Sequence, residues 1–340
     1  MRIFLTHSPD MRANYYGQSA LSELRKLGDV RLNETGRVLD AAALVEAAKG
    51  CEIVVSDRQT AAPAAFFERA ADVAAFLRVA VDIRNIDVEA ASKAGVMVTR
   101  ATPGFAASVS EMTVGMMIDL ARGVSRSVIG YRAGKQPEAK MGRQLKGSTL
   151  GIIGYGVISK HLAPLGIALG MKVLVVDPFQ KPDNSALQHV PLETLLAESD
   201  FVVCLAVANE QTENLMNAAA FARMKKTACF LNLSRGNLVD EAALETALND
   251  GKIAGAAMDV GRAPDQQPSL HLAKRADVIA TPHTAGLTPQ AIEHQAFDTV
   301  RQVADIVAGR VPPEAVNAES ATRFASLPTR HGRAAPPREP

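Results

Sequence analysis

Two successive series of short apolar runs, each alternating with helical patterns, constrain this chain more than any other feature. Before residue 100 the strand-like runs cover 3–6, 30–32, 52–56, 76–81 and 96–99, with helical stretches such as 20–27 and 41–48 between them. A second series covers 149–153, 172–176, 201–207, 228–233, 255–260 and 278–281. Strand–helix alternation predicts parallel sheets flanked by helices. Several runs are apolar almost throughout, as strands covered on both faces require. The expected fold class is α/β, with two doubly wound parallel-sheet domains.

Ser108-Val109-Ser110-Glu111 precedes an apolar stretch and reads as a capping box opening a long helix. A last long helix is expected over 289–308, with Ile292, Phe297, Val300, Val303 and Val307 on its apolar side and Gly309 as its stop. Beyond Asn317 the chain turns polar and rich in Pro and Arg, so 318–340 is expected to be a disordered tail. With 340 residues, two domains of ordinary size are available.

Charge excludes some partners. Lys and Arg number 37 against 36 Asp and Glu, a net +1, so no overall field holds nucleic acid or an anionic membrane. No apolar run is long enough to span a bilayer. The three cysteines, Cys51, Cys204 and Cys229, show neither a CxxC pair nor a metal-ligand spacing. Two of them lie in apolar runs as small hydrophobes. A cytoplasmic protein without a metal site is expected.

The sharpest local signal is Gly151-Ile152-Ile153-Gly154-Tyr155-Gly156-Val157-Ile158-Ser159. It follows a strand pattern and opens a helix. Gly154 permits the tight turn, and Gly156 lets backbone approach a pyrophosphate seated on the helix N-terminus, near Tyr155, Val157 and Ile158. Ser159 stands where a third glycine is usual. An acid, Asp177, closes the next strand about 20 residues beyond Gly156, at the separation that ribose recognition needs. Its carboxylate accepts both ribose hydroxyls and repels a 2′-phosphate, so NAD is the expected cofactor.

Two more groups lie just past strands, where ligands bind in doubly wound folds. Arg235 follows Phe230-Leu231-Asn232-Leu233-Ser234, and its planar fork suits a carboxylate with its neighbouring carbonyl. His283 follows Thr281-Pro282 and suits proton exchange with a carbonyl or alcohol oxygen as hydride moves. Each alone reads as a surface ion-pair partner or a structural histidine. Together, beyond a dinucleotide site, they read as a catalytic pair.

These motifs in this order, L-G-I-I-G-Y-G, V-V-D-P-F, N-L-S-R-G-N-L-V-D-E, M-D-V and A-T-P-H-T-A-G, resemble the D-isomer-specific 2-hydroxyacid dehydrogenases, a family that includes phosphoglycerate dehydrogenases and hydroxypyruvate or glyoxylate reductases. The resemblance runs from about Met1 to Asn317. It implies a discontinuous, flavodoxin-like substrate-binding domain, 1–103 with 288–317, and a Rossmann NAD-binding domain, 104–287. It implies that Arg235 binds the substrate acid, that His283 is the acid/base, that Ser234 lies on the cofactor and that Asp259 holds the nicotinamide carboxamide. A small 2-hydroxy or 2-keto acid is the implied substrate, and a homodimer through the NAD-binding domains the implied assembly.

Two departures qualify the resemblance. A glutamate usually orients the histidine; here ungapped alignment puts Pro264 at that place. Asp265 is expected to replace it, with Gln266 as a neutral alternative. The glycine-rich loop that usually binds the substrate carboxylate is replaced by Val79-Ala80-Val81-Asp82-Ile83-Arg84, where Asp82 would repel an anion and Arg84 attract one, unless both are ordinary surface charges. The missing glutamate keeps open an NAD(H)-binding regulator or scaffold on the same fold, and more weakly a formate dehydrogenase.

Overall fold

The computed structural model describes residues 1–182 and 184–327. They form two compact units, 1–104 with 289 onward, and 105–288. The first unit is built on five strands, β1 (Arg2–Leu5), β2 (Asp29–Leu32), β3 (Ile53–Ser56), β4 (Ala75–Arg78) and β5 (Met97–Arg100), in the order β2-β1-β3-β4-β5. Every pairing is parallel. This is the flavodoxin-like order.

The reason lies in strand periodicity. Successive side chains point to opposite faces, and here both faces are apolar. Ala75 and Leu77 join Ile3, Leu5, Ile53, Val55 and Met97 on one side. Phe76 joins Phe4, Val54 and Val98 on the other. There Phe66, Phe67 and Phe76 meet edge to face, with centroids 5.2–5.9 Å apart. Full burial of each such side chain contributes about 1.5–3 kcal/mol.

The helix Pro289–Val307 closes the first of these cores with Ala296, Val300, Val303 and Ile306. Phe297 and Val307 are only partly buried, so the buried stripe is shifted from the one expected. Gln302 on this helix is buried because both ends of its amide are used: Oε1 accepts from Thr99 Oγ1 at 2.6 Å and Nε2 donates to the Arg100 carbonyl at 2.9 Å. Gly309, at φ +79, follows the helix end as anticipated.

The second unit is built on seven parallel strands, β6 (Thr149–Ile153), β7 (Lys172–Val176), β8 (Leu187–His189), β9 (Phe201–Cys204), β10 (Cys229–Asn232), β11 (Gly255–Met258) and β12 (Val278–Ala280). Their order is β12-β11-β10-β9-β6-β7-β8, which reverses between β6 and β9. That reversal is the Rossmann switch point. Phe230 packs on one face of the sheet, Cys229 and Leu231 on the other.

Two expectations need correction and one strand goes beyond them. The Ser108 capping box does not form: the helix runs Ala106–Arg122 with Phe105 as its uncapped N-terminal residue. Ser108 lies inside it and meets the Thr288 hydroxyl at 2.7 Å. The chain is also structured past Asn317, because Phe324 and Leu327 bury in the first core. The disordered-tail expectation for 318–340 therefore fails over 318–327, and 328–340 lie outside the described residues. Finally, β8 has no counterpart in the sequence reading: only Leu187 of its three residues is buried, so it left no apolar run.

His7, just past β1, is 1% exposed and carries a testable consequence. Burial pulls its imidazole down to about 4, against partial opposition from Asp57 and with help from Arg12 and Arg78. The folded pKa is depressed, so the stability it contributes is present above the unfolded value of 6.5 and is lost as pH falls towards about 4. The loss is about 3 kcal/mol over that window. His7→Phe removes the proton, so urea unfolding at pH 7 and pH 5 should show a smaller stability loss than in the wild type; equal losses would contradict this.

Candidate active site

The glycine turn after β6 is required by both conformation and space. Gly154 sits at φ +90, and a Cβ there would lie 2.7 Å from the Ala206 Cα. Gly156 is different: a Cβ would meet nothing within 4 Å, so the space over its Cα is open. It starts the helix Val157–Ala168, whose first amides receive no side-chain cap. An open approach to uncapped helix amides suits a pyrophosphate. Ser159, at the usual third glycine, is fully buried and donates from Oγ to the Gly154 carbonyl at 2.6 Å. Serine thus adds a bond to the turn. Tyr155 is buried among the core residues, while Val157 is exposed.

Asp177 follows β7. Its Oδ2 accepts the Tyr155 amide at 2.7 Å, and Oδ1 accepts the Phe179 and Gln180 amides at 2.8 Å each. Partial burial pushes this carboxyl up, but the three amide bonds together hold it below the usual carboxylate range. The acid therefore stays ionised and ties the glycine turn to the end of β7. Oδ1 is filled by its two amides, and Oδ2 retains lone-pair capacity for a hydroxyl donor.

Arg235 follows β10. The Asn232 side chain staples the turn, donating to the Arg235 carbonyl at 2.9 Å and accepting the Ser234 amide at 3.1 Å. Ser234 Oγ donates to the Ala206 carbonyl at 2.8 Å. A Cβ on Gly236 would collide with the Gly261 carbonyl, which accounts for Arg-Gly here. Arg235 is half-buried, and its Nη1 donates to the Ser234 carbonyl at 2.7 Å.

His283 follows β12, two strands from β10. It sits at φ +57, its amide donating to the Asp259 and Thr281 carbonyls at 2.9 Å each. The Asp259 carboxylate is 2% exposed and faces the same loop. It accepts the Thr281 hydroxyl at 2.6 Å and the Thr284 and Ala285 amides at 2.8 and 2.9 Å. Asp259 thus first holds the histidine loop, a task that sequence reasoning did not give it.

The ring itself meets Asp265, but not as anticipated. His283 Nδ1 lies 2.9 Å from the Asp265 main-chain carbonyl. A carbonyl only accepts, so Nδ1 donates and Nε2 is the ring nitrogen not engaged by this bond. Pro264 contributes nothing comparable. Gln266 does not orient the ring either: its Oε1 is buried without a hydrogen-bond partner.

In the first unit, Asp82 and Arg84 pair with each other, Nη2 to Oδ2 at 2.6 Å, with Arg84 exposed and Asp82 half-buried. Tyr16 is core, with its hydroxyl 3.2 Å from that of Thr299. Sequence reasoning missed a buried network at the carboxyl ends of β1, β3 and β4. There the Asp57 carboxylate accepts the Thr6 and Thr60 hydroxyls, and the Arg78 fork donates to the Asp57 and Thr60 carbonyls and to Asn85 Oδ1. Arg78 ends β4, Thr6 and Asp57 directly follow β1 and β3, and Thr60 and Asn85 lie in loops, so no local motif announced them.

Among the described residues no group of His, Cys, Asp and Glu is placed to hold a metal, and no helix is long and apolar enough to cross a membrane. Residues 114–285 match the NAD binding domain of the D-isomer specific 2-hydroxyacid dehydrogenases. The chain is 33% identical to the (S)-sulfolactate dehydrogenase of Chromohalobacter salexigens over 296 residues, 86% of this chain and 96% of that one. It is 35% identical over 244 residues to the D-3-phosphoglycerate dehydrogenase of Synechocystis sp., covering 71% of this chain but 44% of that longer protein. Among solved structures, D-lactate dehydrogenase from Escherichia coli superimposes with a TM-score of 0.76 at 25% identity, over 93% of this chain and 100% of that one. The chain belongs to the D-isomer specific 2-hydroxyacid dehydrogenase family, and its cofactor is NAD.

Proposed function

We propose that the chain interconverts a small D-2-hydroxy acid and its 2-keto acid, with Arg235 and His283 as the catalytic pair. The observation that carries this reading is the histidine: its ring is held through Nδ1, which leaves Nε2 for the substrate oxygen. NAD supplies the hydride acceptor in oxidation and, reduced, the hydride donor in reduction. During reduction the Arg235 fork holds the substrate carboxylate and steadies charge growing on the carbonyl oxygen. His283 Nε2 gives that oxygen its proton and then recovers one from water.

For the cofactor, the reading uses the Gly154-Tyr155-Gly156-Val157-Ile158 turn for the pyrophosphate and Asp177 for the ribose. It adds Ser234 and Asp259 on the nicotinamide side, where Asp259 Oδ2, with one loop bond, keeps acceptor capacity. Residues 104–287 are read as the NAD-binding domain and 1–103 with 288–317 as the substrate-binding domain. A homodimer through the NAD-binding domains is supported by exposed Val124, Val128, Ile129, Tyr131 and Met141, an apolar series on and after the helix Val124–Arg132. A cytoplasmic location is supported by three cysteines that are all free and buried.

The test is NADH oxidation against a panel of small 2-keto acids, each paired with its methyl ester. Acids turned over while their esters are not would support the reading. Equal turnover of acid and ester would remove the role given to Arg235.

A further inference from the structure

We infer that Asp265 is a positioning residue that acts through its main-chain carbonyl, aimed at His283 Nδ1 by a left-handed turn, and that its carboxylate is dispensable. The inference rests on the reading of His283 as the acid/base. It concerns how the chain keeps that histidine in one tautomer without the glutamate.

Three observations carry it. The first is the contact: Nδ1 to the carbonyl oxygen, 2.9 Å. The second is the backbone behind that oxygen. Asp265 adopts φ 56, ψ 28, and Gln266 follows at φ 58. Two consecutive side-chain-bearing residues in this region cost about 1 kcal/mol each, so the surrounding structure must enforce the turn.

The third observation is that enforcement. The Gly261 amide donates to the Gln266 carbonyl at 2.8 Å, and the Ala263 amide to the Gln267 carbonyl at 3.1 Å. Glu241 clasps both ends of the loop, accepting the Arg262 amide at 3.0 Å and the Ser269 hydroxyl at 2.6 Å. A Cβ on Gly261 would lie 2.6 Å from the Pro268 Cα, so the loop closes tightly on itself. The histidine is fixed from its own side too, by its amide bonds to Asp259 and Thr281. Both partners of the contact are thus held by backbone geometry.

A neutral carbonyl selects the Nδ1–H tautomer as a carboxylate does, since both only accept. Selection of the tautomer therefore needs the left-handed turn and not the acid. Asparagine and glycine tolerate that turn, whereas valine disfavours it.

The experiment combines kinetics with long-range proton–nitrogen spectra of the free, 15N-histidine-labelled protein, with the His283 signals assigned by their loss in His283→Gln. Asp265→Asn and Asp265→Gly should keep the Nδ1–H tautomer and a kcat within about twofold of the wild type. Asp265→Val should mix the tautomers and lower kcat by about tenfold or more, with KM for NADH unchanged. A wild-type ring protonated on Nε2 alone would overturn the inference. So would losses in Asp265→Asn and Asp265→Gly as large as in His283→Ala, because these would assign the work to the carboxylate. The Asn and Gly variants decide the matter even if Asp265→Val fails to fold. The tautomer is read without substrate, so a chain that turns over no keto acid would defeat the dehydrogenase reading and still leave this inference to be judged by the spectrum.

Discussion

His283→Ala should lower kcat for keto-acid reduction by about 10²–10⁴-fold, the usual worth of a positioned acid/base, while leaving NADH affinity close to the wild type. The ring meets the Asp265 carbonyl through Nδ1, while the His283 amide donates to the Asp259 and Thr281 carbonyls. The loop's other anchors run to the Asp259 carboxylate from Thr281, Thr284 and Ala285, and none of them uses the imidazole. Removing the ring therefore deletes the proposed proton donor and keeps the scaffold. Pre-steady-state measurement of NADH binding separates the two effects. An unchanged kcat would place the proton donor elsewhere, and a lost NADH affinity would make the residue structural.

Arg235→Ala should lower kcat/KM by about 10²–10³-fold, as expected when a charged donor to a developing oxyanion is lost. Arg235→Lys should recover only part of that, because a point charge does not reproduce the two-pronged geometry. The turn that carries Arg235 is held by Asn232, Ser234 and Gly236, none of which depends on the guanidinium. The variant should consequently fold and bind NADH. Steady-state kinetics with a 2-keto acid and with the matching ketone that lacks the carboxylate check the assignment. A similar fractional loss for both compounds would mean that Arg235 does not read the carboxylate.

The sheet architecture was legible because strands buried on both faces must be apolar throughout. The runs at 149–153 and 172–176 coincide with β6 and β7. The run 255–260 overreaches β11 because the chain stays buried after its ladder ends, whereas 201–207 overreaches β9 because Leu205 is buried but the apolar Val207 beyond it is exposed. Edge strand β8 escaped for the opposite reason. The glycine turn after β6 was legible as local chemistry: Gly154 is needed for conformation and space, the space over Gly156 is open, and Asp177 follows β7. Ser159, read as a mere tolerance, makes a bond that no pattern encodes.

The histidine's partner was the least legible part of the site. Sequence comparison asks which side chain replaces a missing glutamate, and Asp265 is the adjacent acid. The structure supplies a carbonyl, which every residue possesses, so no residue type announces it. The signal lay in Gly261, whose hydrogen is all that Pro268 leaves room for. The Arg78–Asp57 network was hidden similarly, since its residues come from segments far apart in sequence and Arg78 reaches Asp57 and Thr60 through their main-chain carbonyls.

The most direct test of the account is oxidation of D and L enantiomers of a panel of small 2-hydroxy acids with NAD, read as NADH formation by the wild type, Arg235→Ala and His283→Ala. The account predicts NADH formation with at least one D acid, far slower with its L enantiomer, and nearly abolished in both variants. NAD binding without turnover of any D acid, or turnover that survives in both variants, would contradict it.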